Sequence, residues 1–215
     1  MIDVPGPPTK DLLQTYTGRV IKPMDAWPGD FDIEDIAWSL AMQCRYNGHT
    51  QLFYSVATHS ILVARFLPQH LKLEGLLHDA SEAYLCDLPS PVKRIMPEYQ
   101  KVEADLEAVI ATQYRLTHPM HPLVKRADDY VFQLECGLVM GGKLADKYEI
   151  PTTDCSIKEY DAVLRDKKEV EETIEHCAGL HPSVVSTLFL NNFNHFMKTR
   201  GADIQAAQEM PNADV

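Results

Sequence analysis

Apolar residues recur along most of this chain at the three-to-four-residue spacing of an amphipathic helix, not in the alternation of a strand. In "IEDIAWSLAMQCRY", Ile33, Ile36, Ala37, Leu40, Ala41 and Cys44 fall on one face. Asp32 stands at the N-cap position and Gly48 marks the end. Ser55 opens a second predicted helix, "SVATHSILVARFL", closed near Pro68, and "LKLEGLLHDASEAYL" follows almost at once. So short a link obliges these two to pack roughly antiparallel. "PEYQKVEADLEAVIATQY" predicts a fourth helix, with Val102, Leu106, Val109 and Ile110 on one stripe. "HPLVKRADDYVFQLECGLVMGGKLADKY" predicts a fifth, long one. Two more are expected near 156–178 and 182–199, the latter carrying Val184, Val185, Leu188, Phe189, Phe193 and Phe196. Residues 11–31 differ: "TYTGRVIKPMD" alternates around Gly18 as a short hairpin would.

The expected architecture is therefore all-α, a bundle of about six to eight helices over residues 32–200. An extended or hairpin arm, residues 1–31, precedes it, and a small polar stretch, residues 201–215, reads as a disordered tail.

Composition narrows the function classes. The 215 residues are 45% hydrophobic and 24% charged, ordinary values for a soluble domain. The apolar runs are only a few residues long, so no membrane span is expected, and "MIDVPGPPTK" lacks the features of a secretory signal. Five cysteines with no close pair fit reduced thiols in a cytoplasm. A net charge of −11 disfavours binding to duplex nucleic acid, but not to a small phosphorylated ligand held by a local basic pocket or a metal ion.

The densest chemistry lies in "HDASEAYLCDLPSPVK", residues 78–93. On a helix, His78 and Asp79 flank one point, and Glu82 overhangs the same spot one turn on. Burying such groups unpaired costs roughly 2–7 kcal/mol each for a polar group and more for a charge, a penalty that a bound cation removes. The antiparallel partner helix brings His59 level with His78, and Asp128 in "VKRADDY" is placed to close the set. Two imidazoles and two carboxylates suit one divalent ion: Mn²⁺, Co²⁺, Zn²⁺, Fe²⁺ or Ni²⁺, with Mg²⁺ less favoured.

In order and spacing, His59 in "SVATHS", the pair His78-Asp79 with "DLPSPVK" after it, and Asp128 in "VKRAD" resemble the HD-domain phosphohydrolase superfamily. The block at 78–93 is similar in particular to bacterial 5′-deoxynucleotidases and their relatives, and the resemblance covers roughly residues 34–135. It implies His59, His78, Asp79 and Asp128 as metal ligands, and Glu82 as a catalytic or water-positioning carboxylate. It also implies an arginine–aromatic pair holding phosphate and sugar. Here that pair is Arg45-Tyr46, with Tyr where the nucleotidases carry Trp, and Thr58 precedes the first histidine where many relatives carry Glu.

The chemistry assigns the remaining roles. Glu82 and Asp87 would accept or relay a proton. Arg45 and Lys93 would balance phosphate charge, and His49 would donate to phosphate or protonate a leaving oxygen. The expected activity is a 5′-nucleotidase releasing phosphate from deoxynucleoside monophosphates. The alternatives are a deoxynucleoside triphosphate triphosphohydrolase and, in another class, an inactive nucleotide-sensing or partner-binding module. Each residue also has a plainer reading: His59 as a packed core histidine, Asp87 as a turn cap, Glu82 as a solvated helix residue. His118, His121, His176, His181 and His195 are expected to be surface, capping or packing residues. The apolar C-terminal helix offers a surface for a homo-oligomer.

Overall fold

A computed structural model describes residues 11–141 and 167–209. Two short strands, β1 (Leu13–Gln14) and β2 (Val20–Ile21), pair antiparallel about Gly18, whose φ of +88° permits the reversal. The expected hairpin is thus present. Thr17 ties it to the first helix, donating from its amide and its hydroxyl to Asp35. All other elements among the described residues are helical, so the all-α expectation holds.

Helix α1 (Ile33–Met42) begins at the predicted cap, where Asp32 accepts from the Glu34 amide at 2.9 Å. It ends earlier than its apolar pattern suggests. Cys44 turns extended and pairs with Ser55, which draws the chain off the helix before Arg45. Tyr46 and Asn47 then adopt left-handed backbone angles. Helix α2 (Val56–Arg65) starts at Ser55, whose hydroxyl caps the Thr58 amide, and it is buried along most of its length.

The predicted helix over 71–85 is broken in two. Helix α3 (Lys72–Leu77) stops because the His78 ring nitrogen Nδ1 reaches the Gly75 carbonyl, the acceptor a continuing helix would need. Residues 78–81 form tighter three-residue turns, with the Ala80 amide bonded to Leu77 and the Glu82 amide to Asp79, before α4 (Glu82–Leu85). Such turns align residues three apart, so Asp79 and Glu82 still share a side. Helices α5 (Ser90–Lys93) and α6 (Pro97–Tyr114) follow. Helix α7 (Pro122–Leu138) is shorter than expected, ending where Val139 caps onto Glu135. Helix α8 (Lys167–Cys177) is the described part of the helix expected near 156–178. Helix α9 runs from Pro182 to Glu209, past the expected end and into the stretch read from sequence as a disordered tail. Residues 1–10 and 210–215 lie outside the described residues.

Helix α2 sits between two apolar cores. On one side Val56, Ala57 and Ala64 join Ile36, Ala37, Leu40 and Ala41 of α1, Leu73, Leu76 and Leu77 of α3, and Val185, Phe189 and Phe193 of α9. On the other, Leu62 and Val63 meet Leu123, Val124, Ala127 and Val131 of α7. A side chain buried fully in either core contributes about 1.5–3 kcal/mol, which is why α2 tolerates a polar residue at its centre only with partners. Gly75 lets α3 approach closely: a Cβ there would lie 2.3 Å from Leu67 Cδ1 and 3.1 Å from the Ala64 Cα. None of the helices described is long and apolar enough to cross a membrane.

Candidate metal centre

His59 lies at the middle of α2 and is fully buried. His78 caps the end of α3, and the two rings stand 5.3 Å apart between centroids. Asp128, on the second turn of α7, points its Oδ1 at the His59 Nε2 from 2.9 Å. One ligand atom from each of His59, His78 and Asp128 lies within 4.8 Å of the others. Asp79 Oδ2 joins from the other side, 3.1 Å from the His78 Nε2 and 3.9 Å from that of His59. The structure thus brings together the four residues expected from the sequence. Asp128 is the inward acid of its pair, whereas Asp129 is ion-paired to Lys125 at 2.9 Å. Lys125 also holds the outer oxygen of Asp128 at 2.7 Å.

The donor chemistry fits a cation. His78 donates from Nδ1 to the Gly75 carbonyl, which leaves the Nε2 lone pair facing the cluster. That Nε2 is buried and, despite its nearness to Asp79, no hydrogen bond reaches it among the described residues. Glu82 Oε2, nearby in sequence, is also buried and without a partner among the described residues. Orphaned atoms of this kind cost about 1–3 kcal/mol each unless something binds them.

The charges interlock. Burial raises the pKa of Asp79, but His78 and His59 outweigh it and hold the carboxyl down at about 2. Burial likewise opposes ionisation of Asp128, and the His59 hydrogen bond and charge overcome it, placing the group well below the usual range. Burial and Arg45 push His59 down, yet Glu135 and Asp128 lift it to about 9. Burial pushes the Glu82 carboxyl well up, reinforced by Asp79 and Asp87 and opposed by Arg45 and Lys93. Asp87 is raised by burial too, though less buried than Glu82.

The other expected residues are placed unevenly. Arg45 is buried, with its guanidinium 3.7 Å from Asp79 Oδ2. Tyr46 commits its hydroxyl to Glu135 and packs against Phe132. Lys93 lies 3.7 Å from Glu82 but bonds Glu103 at 2.6 Å. His49 is exposed in the loop after Tyr46.

Two residues absent from the sequence reading bond to the segments around the cluster. Gln43 donates to the Glu82 carbonyl at 2.9 Å and accepts from the Asp87 amide at 3.0 Å, so one amide holds both segments. Glu135 is fully buried beneath His59, with its Oε1 2.8 Å from Nδ1. The available signal was the seven-residue spacing from Asp128, which puts both acids on one face of α7.

Fold and site together define an all-α protein with a His–His–Asp cluster, its two histidines buried, that could hold a metal ion. No family model matches the chain. It is 36% identical over 139 residues to the uncharacterized protein RCAP_rcc00048 of Rhodobacter capsulatus, covering 58% of this chain and 71% of that protein, and it belongs to that protein's family. It is 41% identical over 117 residues to the uncharacterized protein YfdR of Escherichia coli K12, 54% of this chain and just under two thirds, 66%, of YfdR. A 44-residue stretch, 19% of this chain and 23% of the relative, is 48% identical to a 5′-deoxynucleotidase of Vibrio atlanticus.

Proposed function

We propose that this protein is an HD-type, divalent-metal-dependent phosphohydrolase that releases phosphate from deoxynucleoside monophosphates. The observation that carries the reading is the convergence of His59 from α2, His78 and Asp79 from the turn that ends α3, and Asp128 from α7 on one point, with the orphaned His78 Nε2 aimed into it. The stretch similar to a 5′-deoxynucleotidase supports the substrate class.

These four side chains would hold the ion, and their mixed nitrogen and oxygen donors favour Mn²⁺, Fe²⁺, Co²⁺, Ni²⁺ or Zn²⁺ over Mg²⁺. When bound, it supplies Lewis acidity at the phosphoryl group. Arg45 meets the phosphate charge, its guanidinium already drawn toward the cluster by Asp79. Glu82 takes the proton of the attacking water, and Asp87 relays it. Lys93 and His49 complete the anion's surroundings from the α5 side and from the loop after Tyr46. An open groove that borders Glu82 but none of the four ligands, with Trp38 and Met42 in its lining, is the place proposed for the nucleoside portion.

The test is phosphate release from a panel of nucleotides in Mn²⁺ or Co²⁺, before and after chelation. Chelator-sensitive release of inorganic phosphate from monophosphates is expected, with Glu82→Ala retaining metal and losing about 10²–10⁴-fold in kcat. Release of intact triphosphate would move the substrate assignment to triphosphohydrolase. No release with any nucleotide would leave a metal-binding module and refute the enzyme reading.

A further inference from the structure

We propose that Glu135 is a positioning residue of the metal centre, fixing the His59 ring so that Nε2, and not Nδ1, faces the ligand cluster. This rests on the metal-site reading above, not on the choice of substrate.

The Glu135 carboxylate is fully enclosed, and its two oxygens are shared among four groups. Oε1 accepts from the Tyr54 hydroxyl at 2.7 Å and stands 2.8 Å from His59 Nδ1. Oε2 accepts the Tyr46 hydroxyl and faces Arg45 Nε at 3.3 Å, out of line for a hydrogen bond but close enough to offset its charge. An ionised carboxylate can only accept, so the shared proton belongs to Nδ1. Nε2 is then the nitrogen left for a cation, and it is the one that meets Asp128. Two carboxylates on one face of α7 therefore grip a single imidazole by its two nitrogens. Carboxylate–histidine pairs of this kind set the tautomer and ring plane and raise ligand basicity.

Glu135 also reaches the Arg45-Tyr46 loop. Tyr46 sits at a φ of +57°, a conformation costly for a side chain of its size, and its hydroxyl is anchored on this carboxylate. The loop that presents Arg45 and the helix that presents His59 thus share one buried group.

The plainer role is structural, with Glu135 only tying the loop, α2 and α7 together. Calorimetric titration of the chelated protein with Mn²⁺ separates the two. Glu135→Gln is expected to weaken Mn²⁺ binding by about 10–100-fold, whereas Tyr54→Phe, which removes a partner of the same oxygen without touching His59, stays within about threefold of wild type. Glu135→Asp, which keeps the charge, is expected to fall between them. A folded Glu135→Gln protein that binds Mn²⁺ within about threefold of wild type overturns the proposal. Should that variant not fold, nitrogen NMR of His59 in the zinc-loaded wild type decides. A proton on Nδ1 with metal on Nε2 supports the assignment, and the reverse arrangement refutes it. Wild-type protein that binds Mn²⁺ yet hydrolyses no nucleotide sinks the enzyme reading alone. Failure to bind any divalent ion sinks both.

Discussion

Gly75 is where packing and chemistry meet most tightly, and a single methyl group tests the link. The hydrogen atom it carries in place of a side chain allows α3 to lie against α2 at Ala64. In Gly75→Ala the new Cβ meets the end of Leu67 at 2.3 Å and the Ala64 backbone nitrogen at 3.2 Å. Leu67 can rotate away, but it is itself buried, and the Ala64 backbone cannot move without displacing α2. The cost is that of an overpacked core, about 1–3 kcal/mol, only partly offset by the better helix propensity of alanine at up to about 1 kcal/mol. For a chain of this size a net cost of about 1–2 kcal/mol corresponds to a fall in Tm of about 2–8 °C. Separating the helices also parts His59 from His78, and the Gly75 carbonyl that orients the His78 ring moves with them. Mn²⁺ affinity is therefore expected to drop in the same variant. Thermal unfolding by circular dichroism and Mn²⁺ titration measure the two effects. A Tm within about 1 °C of wild type, with unchanged Mn²⁺ affinity, would refute the claim that this close approach sets the histidine spacing.

Saturating the chelated protein with Mn²⁺ at a hundredfold excess over Kd is expected to stabilise it by about 2.7 kcal/mol, a rise in Tm of about 5–10 °C that His78→Gln abolishes. An equal rise in the variant would place the ion elsewhere. Gln43→Leu leaves the Asp87 amide without its partner and the Glu82 carbonyl with the Cys86 amide alone, so steady-state kinetics should show a lower kcat while Mn²⁺ affinity stays within about threefold. Unchanged kcat would mean that the two acidic segments hold themselves in place. Burial, helped by Glu103 and Asp79, pushes the Glu107 carboxyl up to about 7, so its contribution to stability is complete below its unfolded pKa near 4.5 and is lost as pH rises through about 7. In chelated protein, Glu107→Gln should therefore gain on wild type between pH 5 and 8, by about 1–2 kcal/mol once solvent screening of this half-buried group is discounted, and a constant difference across that range would contradict the assignment.

Which features were legible in the sequence follows from how local their causes are. Helix α6 matches its prediction residue for residue, because Pro97 at its first turn and an unbroken apolar stripe determine it locally. The early end of α1 was not visible. Cys44 continues the apolar stripe, and what stops the helix is the pairing of Cys44 with Ser55, a contact no periodicity reports. The break at His78 has the same character: a ring nitrogen takes a backbone carbonyl, and the helix tightens into turns. The four residues expected as ligands stood out because residue type and spacing carried them, and the structure brings them together. Arg45 and Tyr46 were found as residues, but not the buried carboxylate they both reach.

The misses share a reason that bears on how the site works. Gln43 and Glu135 do not stand out by chemistry, since an amide after a helix and an acid in an amphipathic helix are commonplace. Their importance comes from the phase of one element against another. Asp128 and Glu135 bracket His59 only because α7 packs on the face of α2 opposite α1, with its acidic stripe turned to the same level. A half-turn of α7 would keep every residue and lose the grip on the imidazole. The apolar residues flanking Asp128, Val124, Ala127 and Val131, set that phase, so the core that stabilises the fold is also what aims the proposed ligands. A volume change at Ala127 should then disturb metal binding before it disturbs helix content. For this chain the line between packing residues and site residues runs through the sides of single helices, and not between separate regions of the molecule.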